Sequence, residues 1–514
     1  MRLLTRMIGA AATLSLALPA AAQQIPVAVT VTVDTSKPGP RIERDVYGQF
    51  AEHLGRGIYE GIWVGSNSRI PNTKGYRTDV VEALRRIKVP SVRWPGGCFA
   101  DEYDWRDGIG ARAQRPTRVN THWGGVTEDN AFGTHEFMNF AELIGAQAYI
   151  AGNMGSMGPR EMGQWVEYMT SDSRSTLANE RRRNGRDKPW KVAYFGVGNE
   201  SWGCGGNMRP EYSADLHKRY STFVKAPPEM GMKKVASGAS VDDYAFTEML
   251  MDRARAQMDA VSMHHYTFTN SWEEKGNATG FSEADWASVM VNALRMDELV
   301  TRHSAIMDKY DPEKRVGLYV DEWGTWYNPE PGSTPGFLYQ QNTLRDAQVA
   351  ALTLNIFHRH TDRVKLAAIA QMVNVLQAMI LTDGAKMVLT PTYHLFDMYV
   401  PFQGATPYAA FVTNARYTSG GKDLPMIDTS VARATDGTLW MALVNLDPNR
   451  PARIATNLTG TAIGRILTAA AMDAHNSFEN PNAIAPAAYS GTVIDGKLGF
   501  DLPAKAIAMV QIAE

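Results

Sequence analysis

Eight short apolar runs, several of them β-branched and each ending in small or polar residues, recur along the chain with helical stretches between them. They occupy residues 46–51, 91–94, 147–152, 193–198, 234–237, 260–264, 316–322 and 365–371. Helical patterns at 78–87, 136–144, 211–225, 284–309 and 341–358 fall in the gaps. A strand reaches a parallel neighbour only through a crossover, so alternating strand and helix implies a parallel sheet. Eight such units predict an α/β fold of the closed (β/α)₈, or TIM barrel, type. An open doubly wound sheet is the competing arrangement, but no G-x-G-x-x-G fingerprint supports it.

After about Tyr399 the texture changes to short strands separated by Gly, Pro, Asn and Asp, as at 438–446, 453–458 and 506–512. This is the pattern of an antiparallel β-sandwich, here expected to be jelly-roll-like. Residues 27–33 alternate in the same way although they precede the barrel, so they are expected to add a strand to that distant sandwich. The domain reading is an N-terminal strand segment at 23–45, a catalytic barrel at 46–398 and a C-terminal sandwich at 399–514. A chain of 514 residues accommodates one barrel and one smaller domain.

The N-terminus reads as a leader. Arg2 and Arg6 precede an apolar stretch to about Leu18, and Pro19-Ala20-Ala21-Ala22 supplies small residues for cleavage. Residues 1–22 are therefore expected to be a signal peptide and the mature protein to be periplasmic or secreted. No later segment has the uninterrupted apolar length of a membrane span, so no anchor is expected. The formal charge of −2 and pI near 6.6 give no reason to expect nucleic acid or an anionic membrane as partner. Arg181, Arg182 and Arg183, followed by Asn184-Gly185, read as a solvated loop. Subunit number is left open.

Cys98 and Cys204 are the two cysteines, too few for a disulfide scaffold. A bridge between them requires Cα atoms within about 7 Å, which two loops at one barrel mouth can provide, and that pairing stays open. With no CxxC and no ligand-spaced histidines, no metal is expected, and no cofactor fingerprint is present.

In such a barrel, reactive groups gather at the C-terminal ends of the strands. Those ends carry Glu52 and His53, Arg93 with Pro95-Gly96-Gly97, Asn153, Asn199-Glu200, His264-His265-Tyr266, Glu322 and Gln371. Glu200 and Glu322 each end an apolar run and are each followed by tryptophan and glycine. Two carboxyl groups beside aromatic walls suit cleavage of a glycosidic bond, which needs one acid for the leaving oxygen and one carboxylate for the oxocarbenium-like centre. Trp94, Trp202, Tyr266, Trp323 and Trp326 are candidate stacking surfaces. Arg93 either pairs with a carboxylate to hold the rim or positions Glu322, and Tyr266 either packs or donates to the nucleophile. Adjacent strand residues face opposite ways, so one of His264 and His265 faces the core, and Asp321 is expected to point away from the mouth.

Six segments taken in order, Phe50-Ala51-Glu52-His53-Leu54-Gly55-Arg56, Arg93-Trp94-Pro95-Gly96-Gly97-Cys98-Phe99, Gly198-Asn199-Glu200-Ser201-Trp202-Gly203, His264-His265-Tyr266, Asp321-Glu322-Trp323 and Ala370-Gln371-Met372-Val373-Asn374, resemble the successive motifs of family 51 glycoside hydrolases, the α-L-arabinofuranosidases. The resemblance runs from about Val27 to the C-terminus. It implies a retaining mechanism with Glu200 as acid/base and Glu322 as nucleophile. It also implies an arabinose subsite lined by Glu52, Arg93, Asn199, Tyr266 and Gln371, with Cys98, His264 and Trp323 as further substrate-binding candidates. Some members carry Asn where this chain has Cys98. The expected activity is exo-acting removal of terminal arabinofuranosyl residues from arabinoxylan, arabinan or related oligosaccharides. The rivals are an endo-β-1,4-glucanase or xyloglucan-active enzyme of the same family, and a catalytically silent carbohydrate-binding protein.

Overall fold

The computed structural model describes residues 25–413 and 415–513; the expected leader at 1–22 lies outside the described residues. Eight parallel strands close into a barrel in chain order: Gly48–Phe50, Ser91–Trp94, Gln147–Gly152, Val192–Val197, Lys233–Ser240, Ala260–Thr267, Gly317–Thr325 and Val364–Ile369. The ring closes where Ala368 pairs with Gly48. Helices such as Thr78–Arg86, Thr134–Ile144, Pro159–Thr170, Pro210–Phe223, Tyr244–Ala254 and Glu283–Tyr310 lie outside it. The strands are buried along most of their length, as expected of strands covered on both faces, and several carry polar residues toward their C-terminal ends.

The strand that carries Glu322 is irregular, and the site depends on it. Along Gly317–Thr325, Tyr319 pairs with Ser262 and Glu322 with His264, so three steps on this strand match two on its neighbour. On the other side Val320 pairs with Ala367 and Trp323 with Ile369, again three steps against two. An extra residue between Val320 and Trp323 forms a bulge, which re-aims the side chains that follow.

The second unit is a ten-stranded sheet wrapped around its own core of Val29, Val31, Val33, Met441, Leu443, Ile454, Phe500, Val510 and neighbours. Its strand Val27–Pro38 lies between Thr406–Thr413, antiparallel, and Ala452–Thr456, parallel. The alternating burial of Val29, Val31 and Val33 is the period-2 signature read from the sequence. Helix Leu344–Arg359 is buried on almost all sides because it lies between the barrel and this sheet. A capping box starts it: the Thr343 N–H donates to Asp346 Oδ2 at 2.7 Å, and Thr343 Oγ1 accepts from the Arg345 N–H.

The arginine run is not a solvated loop. Residues Thr176–Arg183 are helical, and Arg181 is fully buried, its guanidinium donating to the carbonyls of Tyr168, Ser171, Arg186 and Asp187. A planar five-donor group satisfied by main-chain oxygens needs no counter-charge nearby, and composition alone does not reveal that. Among the described residues, no helix is long and apolar enough to cross a membrane.

Candidate active site

Glu200 stands one turn beyond its strand in a left-handed conformation, φ +38°, which an L-residue adopts at a cost of about 1–2 kcal/mol. The surrounding loop holds it there. Its carbonyl accepts from the N–H groups of Gly203 at 2.7 Å and Gly205 at 3.1 Å, and the Ser201 N–H donates to Ser237 Oγ at 3.1 Å. A Cβ at Gly205 would lie 1.8 Å from the Asn199 carbonyl, so that position admits only glycine. Gly97 has a comparable role on the facing loop, where an added Cβ would meet Glu322 Oε1 at 3.0 Å and Glu52 Oε1 at 3.3 Å. The glycines after Pro95 let two carboxyl groups approach the main chain.

Cys98 and Cys204 form a disulfide with Cα atoms 5.5 Å apart, which ties the loop after the second barrel strand to the loop after the fourth. Its sulfurs lie against Glu200 Oε2, Cys204 Sγ at 3.4 Å and Cys98 Sγ at 3.9 Å. Neither sulfur carries a proton, so these are contacts and not hydrogen bonds.

Glu322 is buried, 4 % exposed, and is held at both oxygens. Arg93 donates from Nη1 to Oε1 at 2.7 Å, and the Tyr266 hydroxyl donates to Oε2 at 2.8 Å. Arg93 also donates from Nη2 to Asn199 Oδ1 at 2.6 Å, and its Nε lies 3.6 Å from Asp321 Oδ2. The two alternatives read for Arg93 are therefore one arrangement, since it pairs with buried carboxylates and fixes Glu322 in doing so. His264 sits between the two glutamates, with Nδ1 2.9 Å from Glu200 Oε1 and 3.6 Å from Glu322 Oε2. His265 points the other way, its Nε2 meeting the Asn292 carbonyl at 3.3 Å.

Electrostatics separate the carboxyl groups. Burial, reinforced by the Glu322 charge, raises the Glu200 pKa above the ordinary carboxylate range against the opposing hydrogen bond and charge of His264. Burial and the Glu322 charge lift Glu52 to about 7, even though it accepts from Phe99 N at 3.0 Å, Trp123 Nε1 at 2.9 Å and Gln371 Nε2 at 3.0 Å. Burial pulls His264 down, but the Glu322 charge, the close approach of the Asp321 carboxylate and the hydrogen bond with Glu200 outweigh it and carry the ring to about 10.

These groups surround a cavity of about 570 Å³ lined by Glu52, Cys98, Glu200, His264, Tyr266, Glu322 and Gln371, with aromatic walls from Trp123, Trp202, Phe268, Trp272 and Trp326. Arg93 and Asn199 lie beneath it, buried and joined to its lining by the bonds above. Gln371 Oε1 is buried without a protein partner. Two candidate stacking surfaces are placed elsewhere. Trp94 is fully buried and stacks on Phe137 at 4.8 Å, and Trp323 is 1 % exposed and packs edge-on against Phe357 at 5.7 Å. Both rings face the outer helix layer, as strand alternation dictates.

Asp321 is the principal correction to the sequence reading. It does not point away: Oδ1 lies 3.2 Å from His264 Nε2, and Oδ2 accepts from the Tyr149 hydroxyl at 2.6 Å. The bulge upstream of Trp323 defeats simple alternation. Asp101 was also missed. It is buried and accepts from the N–H groups of Met154, Gly155 and Asn199 at 2.7–2.9 Å, knitting together the loops that carry the site. The lining residues Trp123 and Trp272 come from long loops with no periodicity to mark them.

The chain matches the α-L-arabinofuranosidase 1 domain over residues 83–283 and the α-L-arabinofuranosidase C-terminal domain over residues 321–506. A Bacteroides ovatus protein named intracellular exo-α-L-arabinofuranosidase is 50 % identical, covering 94 % of this chain and 95 % of its own length. The chain belongs to the family 51 α-L-arabinofuranosidases. It is a glycoside hydrolase acting on arabinofuranosides, and all six motif segments fall within the matched length. The GH51 arabinofuranosidase of Xanthomonas axonopodis pv. citri superposes with a TM-score of 0.94 at 55 % identity, covering 95 % of this chain and all of that one. The Thermotoga maritima α-L-arabinofuranosidase, solved as an arabinose complex, gives 0.81 at 28 % identity, with 94 % and 100 % covered. The Bacteroides ovatus relative also overturns the expectation of export, since a protein so similar over nearly its whole length is named intracellular.

Proposed function

We propose that this arabinofuranosidase works by double displacement, with Glu322 as nucleophile and Glu200 as acid/base, and acts on chain ends. The observation that carries the reading is the spacing of the two acids. Oxygens of Glu200 and Glu322 lie within 4.8 Å of one another. Retaining glycosidases hold their carboxyl groups about 5–5.5 Å apart, whereas inverting enzymes leave about 6.5–9.5 Å for a water molecule. Glu322, fixed by Arg93 and Tyr266, attacks the anomeric carbon while Glu200 protonates the departing oxygen. Glu200 then takes a proton from water as it hydrolyses the glycosyl ester.

The raised Glu200 pKa suits an acid that must hold its proton near neutrality. Glu52, Gln371, Asn199 and Arg93 supply donors and acceptors for furanose hydroxyls on the buried side, and the tryptophans face the side where a leaving group departs. Exo action is supported by the name of the Bacteroides ovatus relative. The substrates in this reading are terminal arabinofuranosyl groups of arabinoxylan, arabinan or related oligosaccharides.

Glu200→Ala and Glu322→Ala test the assignment. Glu322→Ala abolishes turnover. Glu200→Ala loses about 10²–10⁴-fold on poor leaving groups, the usual worth of a general acid, and far less on activated aryl arabinofuranosides. Azide restores the Glu200 variant and yields a product of retained configuration. An inverted azide product, or equal loss on every leaving group, refutes the reading.

A further inference from the structure

His264 has a carboxyl oxygen at each ring nitrogen. Nδ1 meets Glu200 Oε1 at 2.9 Å, and Nε2 meets Asp321 Oδ1 at 3.2 Å. Asp321 is 1 % exposed and lines no part of the cavity. It is nevertheless anchored from two further elements, by the Tyr149 hydroxyl at 2.6 Å and by Arg93 Nε at 3.6 Å. A carboxylate fixed at that depth is a large electrostatic commitment, and neither displacement by Glu322 nor protonation by Glu200 uses it directly.

The two oxygens of Glu200 are not equivalent. Oε1 faces His264, whereas Oε2 lies against the disulfide that forms part of the cavity wall. A proton on Oε2 is placed for a glycosidic oxygen in the cavity. A proton on Oε1 is directed into the His264 ring. The state of that ring decides between them. A neutral imidazole with its hydrogen on Nε2, toward Asp321, presents a bare lone pair at Nδ1 and draws the Glu200 proton to Oε1. A doubly protonated ring donates from Nδ1 to Oε1 and leaves Oε2 to carry the acid proton.

We propose that Asp321 is a positioning residue for the acid step: its carboxylate keeps His264 doubly protonated, and the ring then keeps the Glu200 proton on Oε2, toward the leaving group. The proposal rests on the reading of Glu200 as acid/base. The local charges agree with it, since Arg93 and a cationic His264 balance Asp321 and Glu322 while Glu200 stays neutral. The groups facing the ring are Glu200 from the loop after Val192–Val197, and Asp321 and Glu322 from Gly317–Thr325. Behind them stand Tyr266 on Glu322, and Arg93 and Tyr149 on Asp321. Together they favour the cation against its burial. Tyr266 comes from the strand of His264, and Arg93 and Tyr149 from the two strands Ser91–Trp94 and Gln147–Gly152.

Nitrogen-15 NMR of histidine-labelled full-length protein reads the ring without substrate, with the His264 resonances assigned by their loss in His264→Asn. At pH 7 both ring nitrogens of the wild type carry hydrogen, and the ring stays charged to beyond pH 8. In Asp321→Asn, which keeps the side-chain volume, the ring is neutral at pH 7. The same variant loses about 100-fold in kcat/KM on an arabino-oligosaccharide and less than 10-fold on an activated aryl arabinofuranoside. The alkaline limb of its pH profile moves upward, because Glu200 loses an adjacent cation. A neutral His264 in the wild type at pH 7 overturns the proposal whether or not the variant folds. So does a ring still charged in Asp321→Asn, or a loss equal on both substrates with the limb unmoved. A wild type that releases no arabinose refutes the functional reading instead, and the NMR result decides the Asp321–His264 link separately.

Discussion

Replacing Arg93 by Met removes a charge and five donors while keeping most of the side-chain length, and it strips the site of its buried guanidinium. Arg93 Nη1 lies 2.7 Å from Glu322 and its Nε 3.6 Å from Asp321, and all three side chains are 6 % exposed or less. Opposite charges about 4 Å apart at an effective dielectric near 20 attract by about 4 kcal/mol. Breaking a buried pair from one side typically costs about 3–5 kcal/mol, because the remaining charge is left uncompensated. At roughly 2 °C per kcal/mol for a large domain, the melting temperature at pH 7.5 falls by about 6–10 °C. The loss is pH-dependent with a definite sign. Burial works against the Asp321 charge, but Arg93 and His264 hold its pKa below the usual carboxylate value. That depressed pKa contributes stability above the unfolded-state pKa, lost as pH falls through the folded one. Without Arg93 the buried acids take up protons at higher pH, Glu52 included, because Arg93 is one of the groups holding its pKa down. The melting difference between wild type and Arg93→Met therefore narrows from pH 7.5 to pH 4.5. Scanning calorimetry of both proteins at the two pH values measures it. A difference below 2 °C at pH 7.5, or one equal at both values, refutes the argument that Arg93 is the counter-charge of this site.

Two further outcomes are expected. The Cys98→Ser, Cys204→Ser double variant melts lower than the wild type, since a bridge closing a loop of 106 residues is worth up to about 4–5 kcal/mol in the chain-entropy account; unchanged melting counts against that contribution. Extended dialysis against a strong chelator leaves kcat/KM unchanged, because the proposed double displacement needs only the two carboxyl groups and their hydrogen-bonding neighbours. Activity lost on chelation and restored by zinc or calcium shows that the Glu200, His264 and Glu322 cluster, or another site, holds an ion.

The barrel and the place of Glu200 and Glu322 at its strand ends were legible in the sequence because they rest on local patterns. Apolar runs of strand length between helical stretches leave few topologies, and Asn199-Glu200 and Asp321-Glu322 stand where such runs end. The alternation at Val29, Val31 and Val33 likewise announced a sheet strand, since one buried face of a sheet is written at every second residue. What the sequence by itself could not decide is direction and depth. A single extra residue between Val320 and Trp323 turns Asp321 inward, and no local preference marks it, because it is set by pairing with strands 57–58 residues before and 46–47 residues after it. Arg181 is buried by main-chain carbonyls of neighbouring turns, although its own segment reads as polar surface. The disulfide, the His264 bridge and the Trp123, Trp202, Trp272 and Trp326 walls join loops that are distant in sequence. Local pattern specifies which elements form and which face of each is apolar; only closure of the barrel brings eight strand ends within hydrogen-bonding distance, and only there do the charges of Arg93, His264, Asp321 and Glu322 set one another's state.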